Sequence, residues 1–436
     1  MNSILVYSLK LNPRVIYVFQ FIAERWKNVA FNFTSNLNEY KYYNGLSLNY
    51  SDCKIKESEL YLFQSSAINQ DIKAIKNYSL SGLDESLKLE WGEGKFDLIC
   101  SIFFMLSRAE EYETEGRDIH DRFVYNQTRL SKYLDSRIPI VDIWINEFKN
   151  RIEQHFRFEI LSSRSFNFTL GVDIDFFWKY KNKSIFKGIG GFLKDLKRLD
   201  IIAVVNRFLV ISGLKNDPYL SYDTIQNIGF SKESIMFFIL SGGQTKFDNN
   251  QKLNHKSVAP LLEEIRKVGE IALHPSYDAC SDCSFLNNEL HTLETISKMN
   301  INKSRFHFIR LNFPQSYLCL LQNKITQDYS MGYPDILGFR AGTCHSFLWY
   351  NLQTECVTDL RLHPFAAMDR TMLSYLKYDY NEAMAELIKL SDTIKAHSGE
   401  FHLIWHNSSF DEKSEFLVYK TLLSNFCANY LTNANS

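Results

Sequence analysis

The residues with the clearest chemical potential are two carboxylates spaced by one residue. They lie in Phe166–Trp178, FNFTLGVDIDFFW, where an apolar run delivers Asp173 and Asp175 and returns at once to aromatics. Residues i and i+2 of a strand share a face, so both carboxylates are predicted to emerge together near a strand end. The run is too apolar for a surface strand, and two like charges there need a partner. A bound cation is the simplest partner and a shared proton the next. The alternative without chemistry is a pair of carboxylates capping the following loop.

Histidines and arginines recur at comparable positions downstream. His274 ends EIALH before Pro275, and His307 lies in RFHFIRL with Arg305 and Arg310. Arg340 ends ILGFR before the turn-forming Ala341–Gly342, and His406 ends FHLIWH. Any one of these histidines is equally well explained as a hydrogen-bonded core imidazole; their recurrence at strand ends favours a joint site. A carboxylate with imidazoles suits Zn²⁺ or a similar divalent ion with an open position for water. Such a site acidifies the water and polarises a carbonyl, which suits hydrolysis of an amide or ester.

The elements that must position these groups are β/α units. Apolar strands are expected at Ser234–Leu240, Glu270–His274, Arg305–Leu311, Ile336–Phe339 and Phe401–His406, with helices at Phe285–Met299 and Pro314–Asn323 among those between them. Strands separated by helices imply a parallel sheet. Seven or eight units from residue 166 onward would close into a barrel, whose active site gathers at the C-terminal strand ends. Ahead of it, a smaller α/β domain is expected over residues 1–160. It opens with the strand Ile4–Ser8 and a helix from Asn12–Pro13 to about Lys27, and ends with a helix over Pro139–Ile160. Within it, Phe96–Tyr112 reads as a core helix, whose polar end, Arg108 with Glu110 and Glu111, reads as a structural ion-pair cluster. The polar break LSSRS at 161–165 marks the boundary.

Residues 179–215 form an insertion of unusual charge. Over Lys179–Arg198, Lys179, Lys181, Lys183, Lys187, Lys194, Lys197 and Arg198 face one acid, Asp195, and are interleaved with Ile185, Phe186, Ile189, Phe192 and Leu193. A basic amphipathic segment suits peripheral contact with a membrane surface, and a helical insertion with its lysines in water is the plainer alternative.

Bulk composition narrows the classes. The chain has 436 residues, 45% hydrophobic, 23% charged and 15% aromatic, with 34 Phe and 24 Tyr. That is a globular composition of two-domain length; the aromatics suit thick cores and, secondarily, a surface for stacking sugar rings. A net charge of −1 gives no case for nucleic acid as a partner, and no protein partner is evident. Eight cysteines form no secreted disulfide pattern; Cys100, Cys319 and Cys427 sit singly in apolar runs as small buried hydrophobes do. Cys280 and Cys283 make a lone C-x-x-C, a weak redox or zinc signal. With no signal peptide and no run long enough to span a bilayer, the expected location is cytoplasmic or membrane-associated.

GVDID, EIALHPSY, GFRAGT and LIWHN resemble, in order, the motifs of the polysaccharide deacetylases, carbohydrate esterase family 4. The resemblance covers roughly residues 165–430. It implies a distorted (β/α) barrel and metal-dependent removal of an acetyl group from an N-acetylated sugar in a glycan or glycolipid intermediate. The segment carrying FDLICSIFFMLSRAEEY and DIHDRF resembles an uncharacterised domain that precedes a subgroup of these enzymes. Carried over by position, Asp173 resembles the general base, Asp175 and His274 metal ligands, and His406 the general acid. Arg340, or else Arg305, would steady the base by charge, and Asp369 would orient His406. The family's second histidine, four residues after the first, is replaced by Asp278. The third ligand is therefore Asp278, or His307 from the next strand, which is preferred, unless the metal is held by fewer groups or lost. The competing functions are a glycoside hydrolase using the paired carboxylates and a non-catalytic carbohydrate-binding protein.

Overall fold

The structure, a computed structural model, describes every residue except 93, 113–115, 184, 244, 249–250, 252, 254–255, 412–413 and 429–436, and omits the side chains of 185, 187, 223 and 414–417. Ile185 and Lys187 of the basic insertion therefore have no described side chains. The chain divides into two compact units. One comprises Met1–Asn167, Met331–Ala366 and Leu390–Phe401; the other comprises Phe168–Ser330, Ala367–Lys389 and the described residues from His402 onward.

The first unit holds a four-stranded parallel sheet in the order Val29–Thr34, Asn2–Ser8, Ser47–Ser51, Leu60–Phe63. Its first helix, Pro13–Ala23, starts where Asn12 accepts the Val15 N–H at 2.9 Å. Proline at the first helical position loses no bond, because that N–H has no intrahelical acceptor. Val15, Val18, Phe19 and Ile22 form its buried stripe. The helix Leu98–Ser107 is buried on every side, and each large apolar side chain hidden there contributes roughly 1.5–3 kcal/mol. It stops at Arg108, whose backbone is left-handed (φ 51°). The adjoining cluster is a buried triad: Arg108 Nε donates to Glu111 Oε1 at 2.7 Å, and Arg340 Nε donates to the same oxygen at 2.9 Å.

The larger sheet closes into a barrel. Its strands follow the order Gln327–Met331, Lys303–Ser304, Glu270–His274, Ile235–Leu240, Asn167–Ile174, Glu400–His406 and Cys356–Met368, and pairing of the last with the first closes seven strands. The first five are joined by parallel pairs. IMFFIL, residues 235–240, is buried throughout, as a central parallel strand with both faces covered must be. The α/β class and barrel architecture expected from the sequence are those observed.

Several elements differ from expectation. Arg305–Leu311 is not a strand: pairing ends at Ser304, and His307–Ile309 forms a single 3₁₀ turn with Phe308 (φ 61°) and Ile309 (φ 54°) left-handed. A β-branched residue there is strained. Ile336–Phe339 is irregular, and the barrel strand is instead QDYSM, residues 327–331. Cys319 is bonded to Cys283, joining the helices Cys283–Ser297 and Gln315–Gln322, so it is not a free core thiol. Cys100, Cys280 and Cys427 are buried and outside this disulfide.

Candidate metal and hydrolytic site

Six candidate side chains lie at or just past a strand's C-terminal end. Asp173 lies in the last turn of pleat of Asn167–Ile174 and Asp175 one residue beyond it, while His274 and His406 are the final residues of their strands. Asp369 directly follows Cys356–Met368, and Arg305 directly follows Lys303–Ser304.

Three potential ligands converge. Asp175, His274 and His307 each offer an atom, all within 4.8 Å of one another. The Nδ1–H of His274 donates to the Arg305 carbonyl at 2.5 Å; a carbonyl can only accept, so the Nε2 lone pair is left for the site. That Nε2 lies 3.5 Å from Asp175 Oδ1 and 3.9 Å from Asp173 Oδ2. Among the described residues, neither His274 Nε2 nor Asp175 Oδ1, both buried, has a hydrogen-bond partner. Two facing acceptors in a buried site fit a cation between them. In the protein alone, burial disfavours the imidazolium, yet Asp173 and Asp175 still raise the His274 pKa. Burial likewise opposes ionisation of Asp175, but His307, His274 and His406 hold its carboxyl far below the usual range.

His307 is positioned by a residue that the sequence did not single out. Its Nδ1–H donates to Asp248 Oδ1 at 2.8 Å, turning Nε2 toward Asp175 Oδ1, 3.7 Å away. Asp248 also accepts from the Tyr277 N–H at 3.0 Å and the Thr245 hydroxyl at 2.8 Å. Despite burial, these donors and the His307 charge hold its carboxyl below the ordinary value. A carboxylate behind a ligating histidine fixes its tautomer and raises its basicity. Asp278, the alternative ligand, is exposed and 3.9 Å from Arg310 Nη1, and is not part of the cluster.

Asp173 is 2% exposed and accepts Arg305 Nη1–H at 2.6 Å. The guanidinium is held by a further bond from Nε to the Tyr329 carbonyl at 3.2 Å, and lies 3.9 Å from the centre of the Phe238 ring. Gly171 makes room for it, since a Cβ there would come within 2.3 Å of Arg305 Nη2. Arg340, the first choice to steady Asp173, is committed elsewhere. Both its Nε and Nη2 bond Glu111, and Nη1 donates to the Gly332 carbonyl at 3.2 Å. The Glu111 carboxylate, sequestered in the same unit, is its charge partner, so Arg305 holds the position proposed for it.

His406 and Asp369 are brought together. His406 Nδ1–H donates to Asp369 Oδ1 at 2.7 Å, and the His406 backbone N–H donates to Oδ2 at 2.8 Å. The Ser409 hydroxyl and the Arg370 N–H also donate to Asp369. Burial disfavours the His406 imidazolium, but Asp369 outweighs it and carries the pKa up to about 9. Nε2 then points a proton toward the site, 3.9 Å from Asp175 Oδ2.

A cavity of about 510 Å³ is lined by Ser241, Thr245, Ser276, Phe285 and Glu289 among others. Glu289 accepts the Ser276 N–H at 2.9 Å and the Ser276 hydroxyl, fixing the turn after His274. Burial pushes its carboxyl up to about 7, against those two bonds. Neither Asp248 nor Glu289 had a usable signal: each acts through partners tens of residues away or across a helix. Gly171, inside an apolar strand, was the one available hint of a close approach.

Fold and site together define an α/β-barrel protein with a carboxylate–imidazole cluster at the strand ends. The family of unknown function DUF7033 matches residues 4–157. No curated protein matches the chain in sequence. Among solved structures, a Mycobacterium smegmatis protein provisionally called a polysaccharide deacetylase aligns with 11% identity and a TM-score of 0.37, covering 62% of this chain and 90% of that one. Agd3, described as a novel carbohydrate deacetylase, aligns with 8% identity and a TM-score of 0.33, covering 66% of this chain and 54% of that one.

Proposed function

We propose that the barrel is a metal-dependent hydrolase that removes the acetyl group from an N-acetylated sugar. The observation that carries this reading is the convergence of Asp175, His274 and His307 between a carboxylate fixed by an arginine and an imidazole fixed by a carboxylate. The order of the GVDID, EIALHPSY and LIWHN motifs supports it.

Asp175, His274 and His307 would hold a divalent ion, zinc by the chemistry of the donor set; bound there, the ion would acidify water and polarise the acetamide carbonyl. Asp173 takes the proton of the attacking water, its orientation set by Arg305. His406 presents Nε2–H and donates to the departing nitrogen, while Asp369 keeps the imidazole in the tautomer and charge state that can give a proton. Asp248 sets the ring of His307.

Acetate release from a panel of N-acetyl sugars and oligosaccharides, with metal analysis and with and without chelator, tests the proposal. Acetate that disappears on chelation and returns with Zn²⁺ supports it. Glycan binding by a metal-free protein with no release would favour a non-catalytic role.

A further inference from the structure

The insertion after the first barrel strand ends where it begins. Asp217, 1% exposed, accepts the backbone N–H groups of Lys179 and Tyr180, both at 2.8 Å, and of Lys181 at 3.0 Å. It also accepts the Tyr219 N–H at 3.1 Å, so one buried carboxylate clamps both stems. Asn407, which follows His406, donates to the Phe176 carbonyl at 2.7 Å. The excursion is thus rooted at the strand ends that carry Asp175 and His406.

Between the stems, the helices Ile185–Lys197 and Ile201–Ile211 pack on each other. A buried ion pair joins them: Arg207 pairs with Asp195 at 2.7 Å. Gly191 allows it, since a Cβ there would come within 2.7 Å of Arg207 Nη2. The outside is apolar. Phe186, Ile189 and Leu193 on one helix and Ile201, Phe208 and Ile211 on the other are each more than half exposed. A surface helix ordinarily turns such large apolar side chains inward. Lys194, Lys197 and Arg198 are exposed beside them, while Asp195 is consumed by Arg207 and Asp200 caps the second helix at the Ala203 N–H.

We propose that this helical pair is a peripheral docking element for an anionic lipid surface. Exposed Phe, Leu and Ile beside lysines match an interface of acyl chains under negative headgroups. A second copy docking through the same patch would set lysine against lysine. The two helices have 13 and 11 residues, short of the ~20 needed to cross a bilayer, and no described helix is long and apolar enough to do so. At Gly188 and Gly190 an added Cβ would meet nothing, so neither glycine is required by packing and both leave the first helix free to adjust on a surface. The docking stands apart from the hydrolase reading, because it is measured without substrate.

The test is co-sedimentation of the full chain with vesicles of phosphatidylcholine alone and of phosphatidylcholine mixed with phosphatidylglycerol. The expected result is retention on the anionic vesicles, weakened by salt. Substituting Ile201→Asp and Phe208→Asp together should lower the partition coefficient by more than about tenfold, with an unchanged melting curve. No retention, equal retention on neutral vesicles, or an unaffected double variant overturns the proposal. So does self-association of the wild type, by analytical ultracentrifugation, that the same variant abolishes.

Discussion

Arg305 Nη1 lies 2.6 Å from Asp173 Oδ1 in a gap that only Gly171 leaves open. Sequence positions 171, 173 and 305 therefore form one device. A charge-assisted bond in a buried site fixes the carboxylate's orientation. Removing one member of such a pair costs about 3–5 kcal/mol, because the other is left charged and buried. Arg305→Ala is expected to lower stability by that amount in denaturant titration. Gly171→Ala should displace the guanidinium and reduce acetate release at least ~10-fold, consistent with the sensitivity of positioned groups to shifts near 1 Å. Unchanged turnover in Gly171→Ala would show that Arg305 does not position the base.

The ligand assignment makes a separate prediction about Asp248. Losing a carboxylate behind a ligating histidine typically costs 10–100-fold in metal affinity. Asp248→Asn should weaken Zn²⁺ binding within that range, His307→Ala should weaken it more, and Asp278→Ala should leave it unchanged. Competition against a chromophoric chelator measures all three; a large loss in Asp278→Ala would restore that residue as the ligand.

The disulfide joining Cys283 and Cys319 closes a segment separated by 36 residues. Cross-links of this span contribute typically 2–4 kcal/mol. Cys319→Ser is expected to lower stability by about that much in oxidising buffer and by little under reductant. Intact mass after alkylation with and without reduction reports the bond directly.

The first unit carries its own pH dependence. Asp142 is buried and paired with Arg25 at 2.8 Å, and it accepts the Thr343 hydroxyl at 2.7 Å and the Cys344 N–H at 2.8 Å. Burial opposes its charge, but Arg25 and the nearby histidines hold its carboxyl down to about 2, below the ordinary carboxylate range. A lowered carboxylate pKa means that the folded state binds the proton less tightly. Its contribution, roughly 2–3 kcal/mol, is complete above the unfolded value and is lost as pH falls toward about 2. Asp142→Asn should reduce stability at neutral pH and flatten the acid limb of the melting profile; an unchanged limb would contradict the assignment.

Much of the barrel was legible because its strands advertise themselves. EIALH and FHLIWH are apolar runs that end in a histidine, and the structure places both histidines at strand ends. QDYSM was not legible, because Asp328 is buried by hydrogen bonds from Ser330 and Ser304 and not by an apolar pattern. His307 was identified in RFHFIRL, but its element was not: two left-handed residues turn the chain away from the strand at that point. Arg340 pairs with Glu111, 229 residues away, a pairing that no local motif encodes. Asp248 lies in a polar loop without periodicity, and its importance exists only through His307 and Tyr277.

The most direct test of the central claim is the Asp173→Asn variant, assayed for acetate release and for bound metal in one preparation. If Asp173 is the base and Asp175 with His274 and His307 the ligand set, turnover falls by at least ~10²-fold while the metal content stays at the wild-type level. Loss of the metal together with activity, or activity that survives the substitution, would contradict the account.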